Sequence, residues 1–182
     1  MGSPTKFAHV VYQTKQINVM IDWYERVLGC QLIFRNEMLA FLSYDEEHHR
    51  VALIQMPDLA GEQVNHQALG VNHVAYTFED LGGLLDLYVD LRDQSVLPFW
   101  CTNHGPTTSM YYRDPDGNQL EMQVDNFPTV EEATRWMEGP KFAENPIGVD
   151  FDPEELLAKF RSGVPVEELL VRPDGEPSPI PM

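Results

Sequence analysis

The segment TNHGPTTSMYYRDPDGNQLE, residues 102–121, carries His104, two adjacent tyrosines, a tight DPDG turn and a closing Glu121. Read as a hairpin, it places a carboxylate on the inner part of a strand, where burial is costly unless a cation or donors offset it. Candidate partners lie elsewhere in the chain. His9 and His73 occupy matching positions in HVVY (9–12) and HVAY (73–76). Two imidazoles and one carboxylate that leave coordination positions open form the facial set expected of non-haem Fe(II) oxygen chemistry. His9, His73 and Glu121 are therefore candidate metal ligands. Taken singly, each is an ordinary strand residue. Histidine repeated at one structural position is what favours the metal.

The elements that must position these residues repeat as well. The alternating run FAHVVYQT (7–14) predicts a strand, followed by a helix with apolar residues at Ile17, Met20, Ile21, Tyr24, Val27 and Leu28 and a stop at Gly29. Three strand-like runs follow, CQLIFRN, MLAFLSY and RVALIQM, and then a linker without periodicity over 57–70. The pattern restarts with VNHVAYTF (71–78) and a helix capped by Asp80, with apolar residues at Leu81, Leu84, Leu85, Tyr88 and Leu91. The runs LPFWCTN, SMYYRD and NQLEMQV complete the second unit. Helix stripes and HV-Y motifs coincide at a constant offset of 64, as 73 minus 9 shows for the two histidines. Such a repeat predicts an α+β fold of two tandem βαβββ units, about 6–57 and 71–125, within a paired domain spanning 1–127. Neither unit has enough core alone. If a pseudo-twofold relates them, the first strands can meet and bring the imidazoles together.

Residues 128–182 form a C-terminal helical extension without a counterpart in the repeat. TVEEATRWMEG predicts a helix, KFAENPIGVDF a loop, and DPEELLAKF a second helix with Asp152 as cap and Pro153 in its first turn. The Pro-rich end, RPDGEPSPIPM, predicts extended or disordered chain.

Twelve basic against 29 acidic residues leave a formal charge of −17 over 182 residues. Such a balance opposes nucleic acid and anionic lipid, whose recognition rests on basic side chains. The expected partners are small molecules, metal cations or further copies of the chain, as a homo-oligomer of two or more. The start MGSPTKFAHV has no apolar run of signal-peptide length and no later stretch reads as a membrane span, so residence in the cytoplasm is expected. Cys30 and Cys101 follow no metal or redox spacing.

The hairpin residues resemble the signature of the type I extradiol (catechol) ring-cleavage dioxygenases of the vicinal oxygen chelate superfamily. Every signature element is present: Thr102, Asn103, His104, a short gap, Met110, Tyr111, two residues, Asp114, Pro115, Asp116, Gly117, a short gap and Glu121. The resemblance covers residues 6 to about 125 and is closest to the small single-domain type. It implies Fe(II), with Mn(II) as second choice, held by His9, His73 and Glu121, and an aromatic diol opened with O2. It also implies His104 beside substrate and oxygen, and Tyr111 as a hydrogen-bond partner of the bound catecholate. A histidine in an HH-two-residues-Ala-Leu context serves the family as proton shuttle. Here the segment is HHRVAL (48–53), and His49, nearer the strand, is the better match. His49 would take the substrate proton, while His104 and Tyr111 stabilise charge developing on oxygen.

Two rivals share the fold. One is a metal-dependent isomerase, lyase or thiol transferase; isomerases of the glyoxalase type draw a fourth protein ligand from the last strand of their first unit, and here the strand VALIQMP offers Gln55 but no carboxylate. A non-catalytic binder of aromatic drugs would not need all three ligand types. Phe99, Trp100 and Met110 are candidate pocket walls. In the extension, Trp136, Phe142, Phe151 and Phe160 are candidates for covering the pocket mouth or a subunit interface.

Overall fold

The structure, a computed structural model, describes residues 2–181. The chain forms two compact units, the first comprising residues 2–64 with Asp114–Asn118 and the second residues 65–113 with 119–181. Each is an α+β assembly built on a βαβββ core.

In the first unit, β1 (Val10–Thr14), β2 (Gln31–Arg35), β3 (Leu39–Ser43) and β4 (Val51–Gln55) form a sheet in the order β1-β4-β3-β2, with β1 parallel to β4. Helix α1 (Ile17–Leu28) lies against it. The predicted stripe is its buried face: Ile17, Met20, Ile21, Tyr24 and Val27 are buried, and Leu28 is half-buried. They meet Ala40, Leu42, Val51 and Leu53, which register on one face of the sheet. Tyr12, opposite Leu53, stacks on Tyr24 at 5.7 Å. Alternation turns Val11, Phe41 and Ala52 to the other face. Gly29 ends α1 in the left-handed conformation (φ 62°) expected of a glycine stop. The turn Asp114–Asn118 belongs to this unit: Tyr24 Oη donates to Asp114 Oδ2 (3.1 Å) and Gln16 Nε2 to Asp116 Oδ1 (2.7 Å).

The second unit repeats the plan. Strands β5 (His73–Thr77), β6 (Trp100–Asn103), β7 (Thr107–Arg113) and β8 (Gln119–Asp125) pair in the order β5-β8-β7-β6. Helix α2 (Leu81–Asp93) is capped by Asp80, which accepts from Gly83 N, and buries Leu81, Leu84, Leu85, Tyr88 and Leu91. The sheet's helix-facing core is Met110, Tyr112, Leu120, Met122 and Val124, paired in register. The opposite face carries His73, Tyr111 and Glu121. One face makes the core and the other the chemistry.

The extension packs on this second unit and adds more than helices. After α3 (Val130–Met137), the expected loop contains α4 (Pro140–Glu144) and a two-residue strand, β9 (Val149–Asp150), which pairs with β6 as a fifth strand. Proline at the first position of α4 suits a helix start, and two residues are too few to show alternation. Helix α5 (Pro153–Arg161) buries Leu156 and Leu157, and its Glu154 accepts from Tyr88 Oη (2.7 Å) and Arg92 Nη1 (2.8 Å) on α2. A short α6 (Val166–Leu169) follows. The tail beyond it has no regular secondary structure and is anchored where Ser178 N donates to Gly148 O (3.0 Å). No helix among the described residues is long and apolar enough to cross a membrane.

Candidate active site

Register builds the site in the second unit. Tyr111 on β7 is directly opposite Glu121 on β8, and Glu121 is opposite Ala75 on β5, two residues beyond His73. The three side chains therefore share the face turned away from α2. His73 Nε2 lies 3.0 Å from Glu121 Oε2. His104, just past β6, places Nε2 2.9 Å from Tyr111 Oη and 3.8 Å from Glu121 Oε1. Burial of Glu121, at 5% exposure, pushes its carboxyl up. Hydrogen bonds from His73, Ser109 and Tyr111, with the His73 charge, outweigh burial and hold it below the ordinary carboxylate value. Burial, then the Glu121 charge, pushes the Tyr111 hydroxyl well above the phenol range, so it stays protonated.

Aromatic rings wall this cluster. Trp100 stacks on Tyr111 at 4.7 Å and meets His104 edge-on at 5.6 Å, and Phe99 lies 6.2 Å from Tyr111. Met110 is not part of the wall. It is fully buried and points toward α2, because it neighbours Tyr111 along the strand and must face the other way.

In the first unit His9, immediately before β1, has its ring 4.4 Å from that of His49. His49 also stacks on Phe41 (4.7 Å, 24°), and its Nδ1 is 2.6 Å from Nδ1 of His48. Desolvation, then the His9 and His48 rings, lowers the His49 pKa and favours its neutral form. Gln55 has other work: its Oε1 accepts from Ile17 N (2.9 Å) and its Nε2 donates to Lys15 O (2.7 Å), capping α1.

Of the expected site residues, the ligands His73 and Glu121 are thus brought together in one unit, and the ligand His9 lies beside the expected proton shuttle His49 in the other. Among the described residues no three His, Cys, Asp or Glu side chains are gathered as a ready metal site. The donor set nevertheless suits a divalent cation. Glu121 is a buried carboxylate beside an imidazole nitrogen, and His73 Nδ1 lies 2.8 Å from Asn72 Oδ1, an outer acceptor of the kind that orients metal-binding histidines. Asn72 and Ser109 were not legible as site residues from motif alone. Ser109 lies two positions before Tyr111, so alternation puts it on the same face. Asn72 has no such signal.

Fold and site define a class. The chain matches the model of the Glyoxalase/Bleomycin resistance protein/Dioxygenase superfamily over residues 6–122 and belongs to that family. It is 47% identical over 169 residues to biphenyl-2,3-diol 1,2-dioxygenase 2 of Rhodococcus globerulus, covering 93% of this chain and 88% of the relative. To biphenyl-2,3-diol 1,2-dioxygenase 3 of the same organism it is 44% identical over 167 residues, covering 92% and 88%. Among solved structures, a glyoxylase/bleomycin resistance protein/dioxygenase domain from Frankia sp. EAN1pec superposes with a TM-score of 0.59 at 15% identity, covering 70% of this chain and 96% of that one. A fosfomycin resistance protein from Listeria monocytogenes gives 0.55 at 15% identity, covering 72% and 99%. At such identities these structures speak for the fold alone.

Proposed function

We propose that the chain is an extradiol dioxygenase that opens the ring of a catechol, of the biphenyl-2,3-diol type, with O2. The observation that carries this reading is the buried Glu121 carboxylate, flanked by His73 and Tyr111, in a chain 47% identical to a biphenyl-2,3-diol 1,2-dioxygenase. His9, His73 and Glu121 are assigned as ligands of Fe(II), ahead of Mn(II). When bound, the cation supplies Lewis acidity toward the diol and a path for electrons to oxygen.

The chain's own residues do the rest. Trp100 and Phe99 provide flat apolar surface for an aromatic ring and limit water. With His49 donating its Nδ1–H to His48, its Nε2 is the nitrogen that would take the proton of a diol hydroxyl. Tyr111 and His104, hydrogen-bonded to each other, set the polar edge on which charge at a substrate oxygen is stabilised. An isomerase of the glyoxalase type is less well served, since Gln55 spends both amide atoms on α1 and no carboxylate replaces it. The same reading takes residues 1–127 as the metal-binding domain, 128–182 as its extension, and the cytoplasm as its place. It also takes two or more copies as the assembly, supported by exposed Leu32, Ile33 and Phe34 on edge strand β2.

The test is anaerobic loading of the protein with Fe(II), followed by a catechol panel that includes biphenyl-2,3-diol, in air with an oxygen electrode. Oxygen uptake with a yellow ring-opened product is expected. Metal retention without oxygen uptake on any catechol would overturn the reading.

A further inference from the structure

The second unit's extension reaches the site through a backbone atom. His104 Nδ1 is hydrogen-bonded to the carbonyl oxygen of Ile147, in the segment between α4 and β9. A carbonyl only accepts, so Nδ1 must carry hydrogen. In the neutral ring Nε2 is then a bare acceptor 2.9 Å from Tyr111 Oη, so His104 competes with Glu121 for the tyrosine hydrogen. Were the ring in the other tautomer, Nε2 would donate to Tyr111 and Glu121 would hold the tyrosine hydrogen without competition.

The segment that supplies this carbonyl is held on every side. Asn145, 5% exposed, accepts through Oδ1 from Ile147 N (3.1 Å) and Gly148 N (2.8 Å), and donates through Nδ2 to Gly148 O (2.9 Å). Arg172 donates through Nη1 to Asn145 O (2.6 Å) and His104 O (3.4 Å), and through Nη2 to Lys141 O (2.8 Å). Its guanidinium lies 4.8 Å above the Trp136 ring. Gly148, at φ 122°, lies so close to β6 that an added Cβ would come within 2.6 Å of Asn103 O. A buried asparagine that satisfies this turn from within, and a forked arginine that ties it to α4 and to the His104 backbone, fix where its remaining carbonyl points.

We infer that the extension is part of the catalytic apparatus. Asn145 and Arg172 are positioning residues that aim the Ile147 carbonyl, and that carbonyl sets the tautomer and orientation of His104. The inference rests on the dioxygenase reading for its role in catalysis, but not for the tautomer itself. Its consequence is that Nε2 of His104 is the open proton site of the pair and competes with Glu121 for the Tyr111 hydrogen.

The test uses the full-length metal-free protein with 15N-labelled histidine at about pH 8, with His104 assigned from His104→Gln. Long-range 1H–15N correlations are expected to show His104 protonated at Nδ1 alone. Any other protonation pattern in the unaltered chain overturns the inference, whatever the variants do. In Asn145→Ala and Arg172→Lys the ring is expected to shift toward the Nε2–H form, and an unchanged Nδ1–H form in both folded variants also overturns it. In the Fe(II)-loaded enzyme Asn145→Ala should lower kcat roughly tenfold with KM within about twofold, and should lower it no further when His104 is already alanine. An equal loss in both backgrounds would mark Asn145 as merely structural. Absence of oxygen uptake by the unaltered enzyme would count against the dioxygenase reading and leave the NMR result standing.

Discussion

Tyr111 and Glu121 face each other across β7 and β8, on the side of the sheet turned from α2. Strands joined by the turn Asp114–Asn118 cannot slip by one residue without sending both side chains into the Leu120 and Met122 core, so the pairing is protected by burial. The relationship makes Tyr111 a donor next to the buried carboxylate proposed to hold a cation. Tyr111→Phe keeps the stacking on Trp100 and removes only the hydroxyl. Steady-state oxygen uptake with Fe(II) and a catechol should show kcat lower by about 10²–10³, the usual cost of one charge-stabilising donor. Metal content should be unchanged. Full activity in the phenylalanine variant would remove Tyr111 from the reaction.

Glu121 also ties stability to pH in the metal-free protein. Its folded pKa is depressed below the ordinary 4.5. The stabilisation is therefore complete above that value and is lost as pH falls through the folded pKa. Urea unfolding midpoints of metal-free protein should hold steady from neutral pH to about 5 and then drop. Glu121→Gln should flatten the part of that drop due to this group. A parallel drop in both proteins would show that other carboxylates carry it.

The two thiols should be inert. Burial, then Glu25 and Asp45, raises Cys30 to about 12 from an ordinary 9.0. Burial, then Asp150 and Asp152, does the same for Cys101. Because the thiolate is the reactive form, native alkylation at about pH 8 should be roughly a thousandfold slower than for a free cysteine. Mass spectrometry should find both thiols labelled promptly only in denaturant. Rapid labelling of either in the native protein would contradict its burial.

What the sequence discloses and conceals follows from range. The α1 and α2 stripes, the Gly29 stop and the Asp80 and Asp152 caps are local signals, and all three termini form as their residues dictate. The facing of Tyr111 and Glu121 follows from alternation and a turn of known length. The same alternation excludes Met110 from the pocket wall, since adjacent strand residues cannot share a face. Strand β9 and helix α6 are two and four residues long and leave no period to detect. Ile147 acts through its carbonyl, an atom every residue has, so no side-chain pattern marks it. Asn145 is visible only once the backbone it satisfies is placed.

The packing of the extension on the second unit depends on one missing side chain. Gly105 follows His104 at φ 103°, and an added Cβ would lie 1.9 Å from the Trp136 ring. Trp136 in turn touches Phe127 (6.0 Å) and Phe142 (5.8 Å), and Arg172 covers it. Gly105→Ala therefore suffers twice, from backbone strain and from collision. A loss of about 2–5 kcal/mol in urea unfolding is expected. Trp136→Ala removes the collision but leaves the strain. In the double variant Gly105→Ala should cost roughly 1–3 kcal/mol less than it does beside the intact tryptophan. Additive losses would mean that Trp136 does not rest on Gly105. Since Gly105 also adjoins His104, the same variant should disturb the His104–Tyr111 contact, and the Trp136→Ala background should restore part of the lost turnover along with the stability.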